Sequence, residues 1–212
     1  MNPEERVQWV YNATSNDELA ERYQAWAKSY DQDMTNEFGY MSPKLTVDYL
    51  RKFVPVEASI LDAGCGTGLV GQLLHHLGYH RLSAMDLSED MLAEARKKEV
   101  YAKLQQGTLG QPLDFPTNTF NAVISVGVFT VGHAPASGFD ELIRITKPSG
   151  YIIFTLHSDL YEHGEFPDKF AALETAGQWS LIEVSDKLQP TPIGEPEVTI
   201  RVLVYQVEEI RD

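Results

Sequence analysis

The sequence predicts an α/β fold with a seven-stranded, mostly parallel sheet, helices on both faces and an antiparallel last strand. Three observations carry that expectation. Apolar runs of strand length alternate with helix-period segments from residue 58 onward, the first run opens into the glycine-rich "ILDAGCGTGLVG", and the last two runs follow one another with no helix between them. Alternation of this kind buries a parallel sheet on both faces, and a short connection between consecutive strands requires antiparallel pairing.

The elements justify themselves in order. In the first 57 residues, "SNDELAERYQAWAKSY" reads as a helix with Ser15 and Glu18 spaced as a capping box. "SPKLTVDYLRKF" reads as a second helix, with Ser42 as N-cap and Pro43 at the first helical position. Two helices too short for a core of their own form an N-terminal helical lid, residues 1–57, over a core of residues 58–212 in a single domain spanning 1–212. "ASILDA" is then the first strand, and Leu69, Leu73, Leu74 and Leu77 mark a helix that stops at Gly78. "RLSAMD" is the second strand, with Ser88 capping a helix that runs to about Lys98. Strands "YAKLQQ" and "FNAVISV", a helix around "FDELIRIT", strand "YIIFTL", a helix around "KFAALETA" and strand "WSLIEVSD" follow. "QPTPIGEP" leads into the last strand, "VTIRVLVYQV".

Composition excludes several classes of function. A formal charge of -14, from 31 acidic against 17 basic side chains, repels a phosphate backbone, so nucleic acid is not the expected partner. The single cysteine, Cys65, rules out an internal disulfide, and "MNPEERVQWV" lacks a basic-then-apolar leader pattern, which together predict a cytoplasmic setting. No apolar stretch approaches the roughly 20 residues of a membrane span. "LLHHL" puts His75 and His76 on diverging helix positions, and no metal-ligand cluster is visible.

The glycine loop has two registers. From Gly66, the glycines Gly66, Gly68 and Gly71 match a dinucleotide fingerprint, but the strand would then carry Asp62 and Gly64 inside it, at a cost in burial and strand stability. From Asp62, Gly64, Gly66 and Gly68 alternate, so an acidic residue caps the strand end, the backbone turns tightly beside a ligand and the next helix aims its N-terminus there. Asp86, at the end of the second strand, suits the two hydroxyls of an adenosine ribose in either register.

"LDAGCGTG", the aspartate of "MDLSEDML", "FNAVISV" with Val126, and "KPSGYIIF" together resemble the motifs of the class I S-adenosylmethionine-dependent methyltransferases, which have a Rossmann-like sheet. "YDQDM", "GYMSPKLTVDYL", "GTLGQPL" and "ELIRITKPSG" are similar to the methyltransferase-like proteins of the Williams-Beuren region group. The resemblance implies S-adenosyl-L-methionine as cofactor and S-adenosyl-L-homocysteine as product. It implies a cofactor site of Asp62, Gly64, Cys65, Gly66 and Gly68, with Asp86 on the ribose. Leu87 and Leu109 would sandwich the adenine beside Thr108, Val126 would be a further cofactor-binding residue, and Tyr30 would cover the cofactor. The chain departs from the family at Ala84, Asn121 and Thr108, where glycine, aspartate and aspartate are usual.

His133 in "VGHAP" and His157 after the fifth strand are the candidate general bases, since both follow strand ends on the ligand side. Each has a structural alternative as a solvated or packed loop histidine. Asp159, Glu162 and Glu165 hint at a cationic acceptor, or form a solvated acidic loop. The expected activity is methyl transfer to a small molecule or protein side chain. An NAD-dependent oxidoreductase and a non-catalytic, cofactor-binding regulatory protein are the alternatives, and neither acceptor nor oligomeric state is written in the sequence.

Overall fold

The computed structural model describes residues 1–209, which contain one sheet of seven strands. They are β1 (Ile60–Ala63), β2 (Leu82–Asp86), β3 (Lys103–Gln106), β4 (Phe120–Phe129), β5 (Thr146–His157), β6 (Trp179–Val184) and β7 (Ile200–Val207). Their order is β3-β2-β1-β4-β5-β7-β6. Pairing is parallel from β3 through β5, and β7 lies antiparallel to both β5 and β6. The last strand therefore turns back between its predecessors, as the helix-free connection predicts.

Eight α-helices accompany the sheet: α1 (Pro3–Tyr11), α2 (Asn16–Gln32), α3 (Ser42–Phe53), α4 (Leu69–His76), α5 (Glu89–Arg96), α6 (Gly138–Ile145), α7 (Ser158–Glu162) and α8 (Glu165–Thr175). Strand periodicity decides which helices cover which face. Leu61, Val123, Ile152, Phe154, Leu203 and Tyr205 point to one side, where they meet Phe139 and Leu142 of α6 and Phe166, Phe170 and Leu173 of α8. Ile60, Ala122, Ile124, Ile153, Val202 and Val204 point to the other, against Val47 and Leu50 of α3 and Val70 and Leu74 of α4. Each fully buried aliphatic or aromatic side chain in these layers contributes on the order of 1.5 to 3 kcal/mol.

The N-terminal region differs from the expectation in three respects. First, α1 is a helix the sequence reading lacked; its signal is local, because Asn2 accepts the Glu5 N–H at 2.8 Å and the Glu5 carboxylate accepts the Asn2 N–H at 3.0 Å. Second, α2 runs on into a π-helical turn, Asp33–Phe38, that ends at Gly39 in the left-handed region. Third, α3 belongs to the layer that covers the sheet, so of residues 1–57 only the segment before it stands outside that layer. Val7, Val10, Leu19, Trp26, Met34 and Phe38 give that segment a small apolar cluster of its own.

Two predicted caps are also corrected. Ser15 does cap α2 by accepting the Glu18 N–H, but Glu18 turns its carboxylate to the Thr14 N–H and hydroxyl instead of closing the box. Ser42 lies inside α3, fully buried, and Met41 holds the N-cap position without a side-chain hydrogen bond. Packing of α3 onto the sheet takes Ser42 out of reach of the cap role that its residue type favours.

Candidate functional site

The glycine loop leaves β1 and is pinned at once to β2: the Gly64 and Cys65 N–H groups both donate to the Met85 carbonyl, at 2.8 and 3.0 Å. Gly64 has φ +81°, and a Cβ there would stand 2.3 Å from Val128 on β4, so only glycine fits. Gly66, with φ +53°, is the opposite case, since a Cβ there would meet no atom within 4 Å. Its backbone faces open space, the geometry that lets a ligand approach a main chain closely.

Asp86 completes the turn. One carboxylate oxygen accepts the Gly66 N–H at 2.7 Å and the other accepts the Ser88 N–H at 2.9 Å, while the Ser88 hydroxyl caps α5 by accepting the Met91 N–H at 3.3 Å. Asp86 thus stands at the end of β2, as expected, half-buried and with both carboxylate oxygens engaged by backbone N–H groups. Burial pushes its carboxyl pKa up, and the donated N–H groups pull it back. Each oxygen retains a lone pair, so the side chain can still accept two further hydrogen bonds.

Asp62 is likewise no strand-end cap. It lies inside β1, 1% exposed, where the Tyr101 hydroxyl donates to one oxygen and the other has no partner among the described residues. Burial pushes its carboxyl pKa up to about 7. The same Tyr101 hydroxyl accepts the Gly71 N–H at 3.1 Å, and a Cβ on Gly71 would stand 2.2 Å from it. The third glycine of the alternative register thus makes room for a tyrosine and does not face a ligand. Cys65 packs among Ala84, Leu92 and Ala95, and Gly68 is the N-cap of α4. Asp62, Cys65 and Gly68 do not line the cavity described next.

That cavity, about 740 Å³ including its mouth, opens above the carboxyl ends of β1 to β4. Gly64, Gly66, Asp86 and Val126 form its floor, and Leu87, Met91, Thr108 and Leu109 its far wall. Tyr23 and Tyr30 of α2 roof it. Met91 went unnoticed in the sequence, where it reads as an ordinary apolar position of α5. Helix α2 is tied down beside the loop: the Thr67 hydroxyl donates to Asp31 of α2, while Lys98 reaches Asp31 at 2.6 Å and the Thr67 carbonyl at 2.7 Å.

The two candidate histidines separate. His133 lines this cavity, with Nδ1 3.0 Å from the Val131 carbonyl and Nε2 3.0 Å from the Tyr23 hydroxyl. Burial lowers its pKa, and the neutral ring that results donates from Nδ1 and accepts at Nε2. His157 caps α7, its Nδ1 accepting the Asp159 N–H at 3.3 Å. It lines a second cavity of about 680 Å³ over the ends of β4 and β5, which shares Tyr23, Tyr30 and Gly127 with the first. The acidic residues beside it lie on helices and not in the expected loop, Asp159 and Glu162 on α7 and Glu165 at the start of α8, and they are spent elsewhere: Glu162 pairs with Lys187 at 2.8 Å, Glu165 accepts the Ala136 N–H at 3.1 Å, and Asp159 is 78% exposed.

Among the described residues no group of histidine, cysteine and carboxylate side chains could hold a metal ion, and no helix is long and apolar enough to cross a membrane.

A family described as a methyltransferase domain matches residues 61–154. The methyltransferase-like protein 27 of Homo sapiens is 38% identical over 164 residues, which cover 74% of this chain and 66% of that protein. The chain spans 66%, 39% and 60% of the length of three curated relatives it matches. Among solved structures, the [4+2]-cyclase SpnF aligns with a TM-score of 0.73 at 14% identity, over 92% of this chain and 97% of that one. An S-adenosylmethionine-dependent methyltransferase from Mesorhizobium loti aligns with a TM-score of 0.59 at 18% identity, over 75% and 96%. At such identities the two structures speak for the fold alone, and one of them carries a cyclase's name, so the fold does not fix the reaction.

Proposed function

Because the chain belongs to the class I S-adenosylmethionine-dependent methyltransferases, we propose that it transfers a methyl group from S-adenosylmethionine in the first cavity to a small molecule in the second. One observation carries the reading: the Asp86 carboxylate and the open backbone of Gly66 meet at the floor of a cavity of ligand size. The residues fit the cofactor. Asp86 has two lone pairs left for ribose hydroxyls, Leu87, Met91 and Leu109 offer an apolar slot for adenine beside Thr108, and Tyr30 closes the roof. Gly64 and Gly66 would take the amino-acid end, while Asp62, Cys65 and Gly68, which lie outside the cavity lining, would support the loop.

S-adenosylmethionine, when bound, supplies an electrophilic methyl on a positively charged sulfur. What the chain adds is position. The two cavities share Gly127, Tyr23 and Tyr30 in their linings, so an acceptor in the second would lie next to the first there. Holding two reactants in line supplies roughly 7 to 11 kcal/mol of the barrier. The lid, residues before α3, excludes water. His133 acts on the lid through Tyr23, and His157 sits on the acceptor side.

Calorimetry with S-adenosylmethionine, S-adenosylhomocysteine and NAD tests the cofactor. Micromolar binding of the first two without NAD is expected, and the reverse preference would hand the site to an oxidoreductase. Turnover of a methyl-labelled donor against a panel of small acceptors separates an enzyme from a cofactor-binding regulatory protein.

A further inference from the structure

The second cavity is the more aromatic of the two. Its lining carries the rings of Tyr11, Tyr23, Trp26, Tyr30 and Tyr40, against Tyr23 and Tyr30 in the first, and like the first it has no lysine or arginine. The loop between β6 and β7, residues 185–199, adds Thr191 and Glu195. That loop is bound to the lid by the Met41 N–H on the Pro190 carbonyl at 2.7 Å and the Ile193 N–H on the Phe38 carbonyl at 3.3 Å. The Thr191 hydroxyl is buried and has no hydrogen-bond partner among the described residues. A polar atom abandoned in this way is costly unless a ligand satisfies it.

Glu195 is the second anomaly. Burial acts on its carboxyl, raising the pKa, with no cation or hydrogen bond among the described residues to offset it, and its charge in turn opposes ionisation of Tyr11. Asp33, in the π-helical turn after α2, is by contrast already occupied by Arg6 and the Trp26 indole N–H, both at 2.7 Å. So the cavity combines several aromatic side chains, one carboxylate and one hydroxyl without partners among the described residues, and no lysine or arginine in its lining. Aromatic faces attract cations through their quadrupoles, and a half-buried carboxylate regains its favoured charge when a cation arrives beside it.

Resting on the reading of this cavity as the acceptor site, we infer that the acceptor is a small molecule bearing a positively charged amine, held by Glu195 among the rings of Tyr11, Tyr30 and Tyr40. The amine is the recognition handle. Thr191 takes a polar substituent of the same molecule.

Choline and its uncharged isostere 3,3-dimethyl-1-butanol test this, because they share shape and hydroxyl and differ in one charge. Each would be titrated by calorimetry into protein saturated with S-adenosylhomocysteine. Choline should bind about tenfold or more tightly than the isostere. Glu195→Gln should erase most of that preference, and Tyr11→Leu should weaken choline more than the isostere. The wild-type comparison needs no variant, so it decides the matter even if Glu195→Gln fails to fold. Equal affinity for the two probes, or binding of neither while S-adenosylhomocysteine still binds, overturns the inference and leaves the cofactor reading standing. Absence of S-adenosylhomocysteine binding overturns that reading, and this inference falls with it.

Discussion

Lys98, just past α5, reaches across to Asp31 on the lid helix α2 with an N–O separation of 2.6 Å, and the same ammonium donates to the Thr67 carbonyl of the glycine loop at 2.7 Å. One side chain thus joins the lid to the turn beneath the cavity. Lys98 is 13% exposed and Asp31 41%, so the pair is partly screened and worth about 1 kcal/mol or less. Lys98→Met should therefore speed dissociation of S-adenosylhomocysteine by up to about fivefold while lowering Tm by only a few degrees. Stopped-flow release at low and high salt reads both the effect and its electrostatic origin, since the difference should shrink as salt screens the pair. An unchanged release rate would mean that the lid is held by its apolar contacts alone.

The two central glycines should respond to alanine in different ways. Gly64→Ala drives a methyl into Val128 and strains a left-handed backbone, so its main effect is on folding, a loss of several kcal/mol. Gly66→Ala meets no protein atom, so the protein should lose only about 1 to 2 kcal/mol to backbone strain, while affinity for S-adenosylhomocysteine falls about tenfold or more. Unfolding curves and calorimetry on the same samples separate the two outcomes. Asp86→Ala should show both losses together, because it strips the acceptor from the Gly66 and Ser88 N–H groups as well as from the ligand.

Much of this was legible in the sequence for a simple reason. Strand identity, the glycine spacing and the helix-free final connection are local patterns, and they bring Gly64, Gly66 and Asp86 to one end of the sheet; Leu109 and Val126, which line the same cavity, were named only through the family resemblance. What was not legible depends on distant partners. Asp62 read as a strand-end acid, but the hydroxyl that lets it enter the sheet belongs to Tyr101, 39 positions away. Glu195 and Thr191 sit in a proline-rich connection with no motif, and only the docking of that loop on the lid gives them a cavity to line. The acidic cluster at Asp159, Glu162 and Glu165 looked like a site because its neighbours Lys187 and Ala136 are invisible from its own stretch. By contrast, α1 had a readable signal, Asn2 with Glu5 three residues on, that composition arguments about the N-terminus passed over.

Asp62 yields a pH prediction whose sign is fixed by the direction of its shift. An aspartate in the unfolded chain titrates near pH 4, and in the folded protein near pH 7. Between those values the folded state holds a proton that the unfolded state has released, so stability falls as pH rises through that window and levels off above it. Asp62→Asn removes the titration. The stability of wild type relative to Asp62→Asn should therefore decline from pH 5 to pH 7, by at most about 1.4 kcal/mol per pH unit, whatever the offset between the two proteins. Urea unfolding at several pH values measures the slope. A flat difference would show that Asp62 is ionised in the folded state throughout, with Tyr101 and the Gly71 N–H stabilising the charge.

His133 and Tyr23 should behave as one unit. With its Nδ1–H directed at the Val131 carbonyl, His133 has a single lone pair, at Nε2, and the Tyr23 hydroxyl occupies it at 3.0 Å. Burial keeps the ring neutral by lowering its pKa and keeps the phenol protonated by raising its own, so both shifts preserve the same hydrogen bond. A histidine so engaged orients the roof of the cavity before it can take a proton from anything else. His133→Phe and Tyr23→Phe should each weaken S-adenosylhomocysteine binding by roughly three- to tenfold, the worth of one buried hydrogen bond and the alignment it gives. The double variant should be no weaker than the worse single one, because the second substitution removes a partner already lost. Calorimetric affinities for the four proteins close the cycle. If the two losses simply add, the residues act independently, and His133 returns to candidacy as a base acting directly on the acceptor.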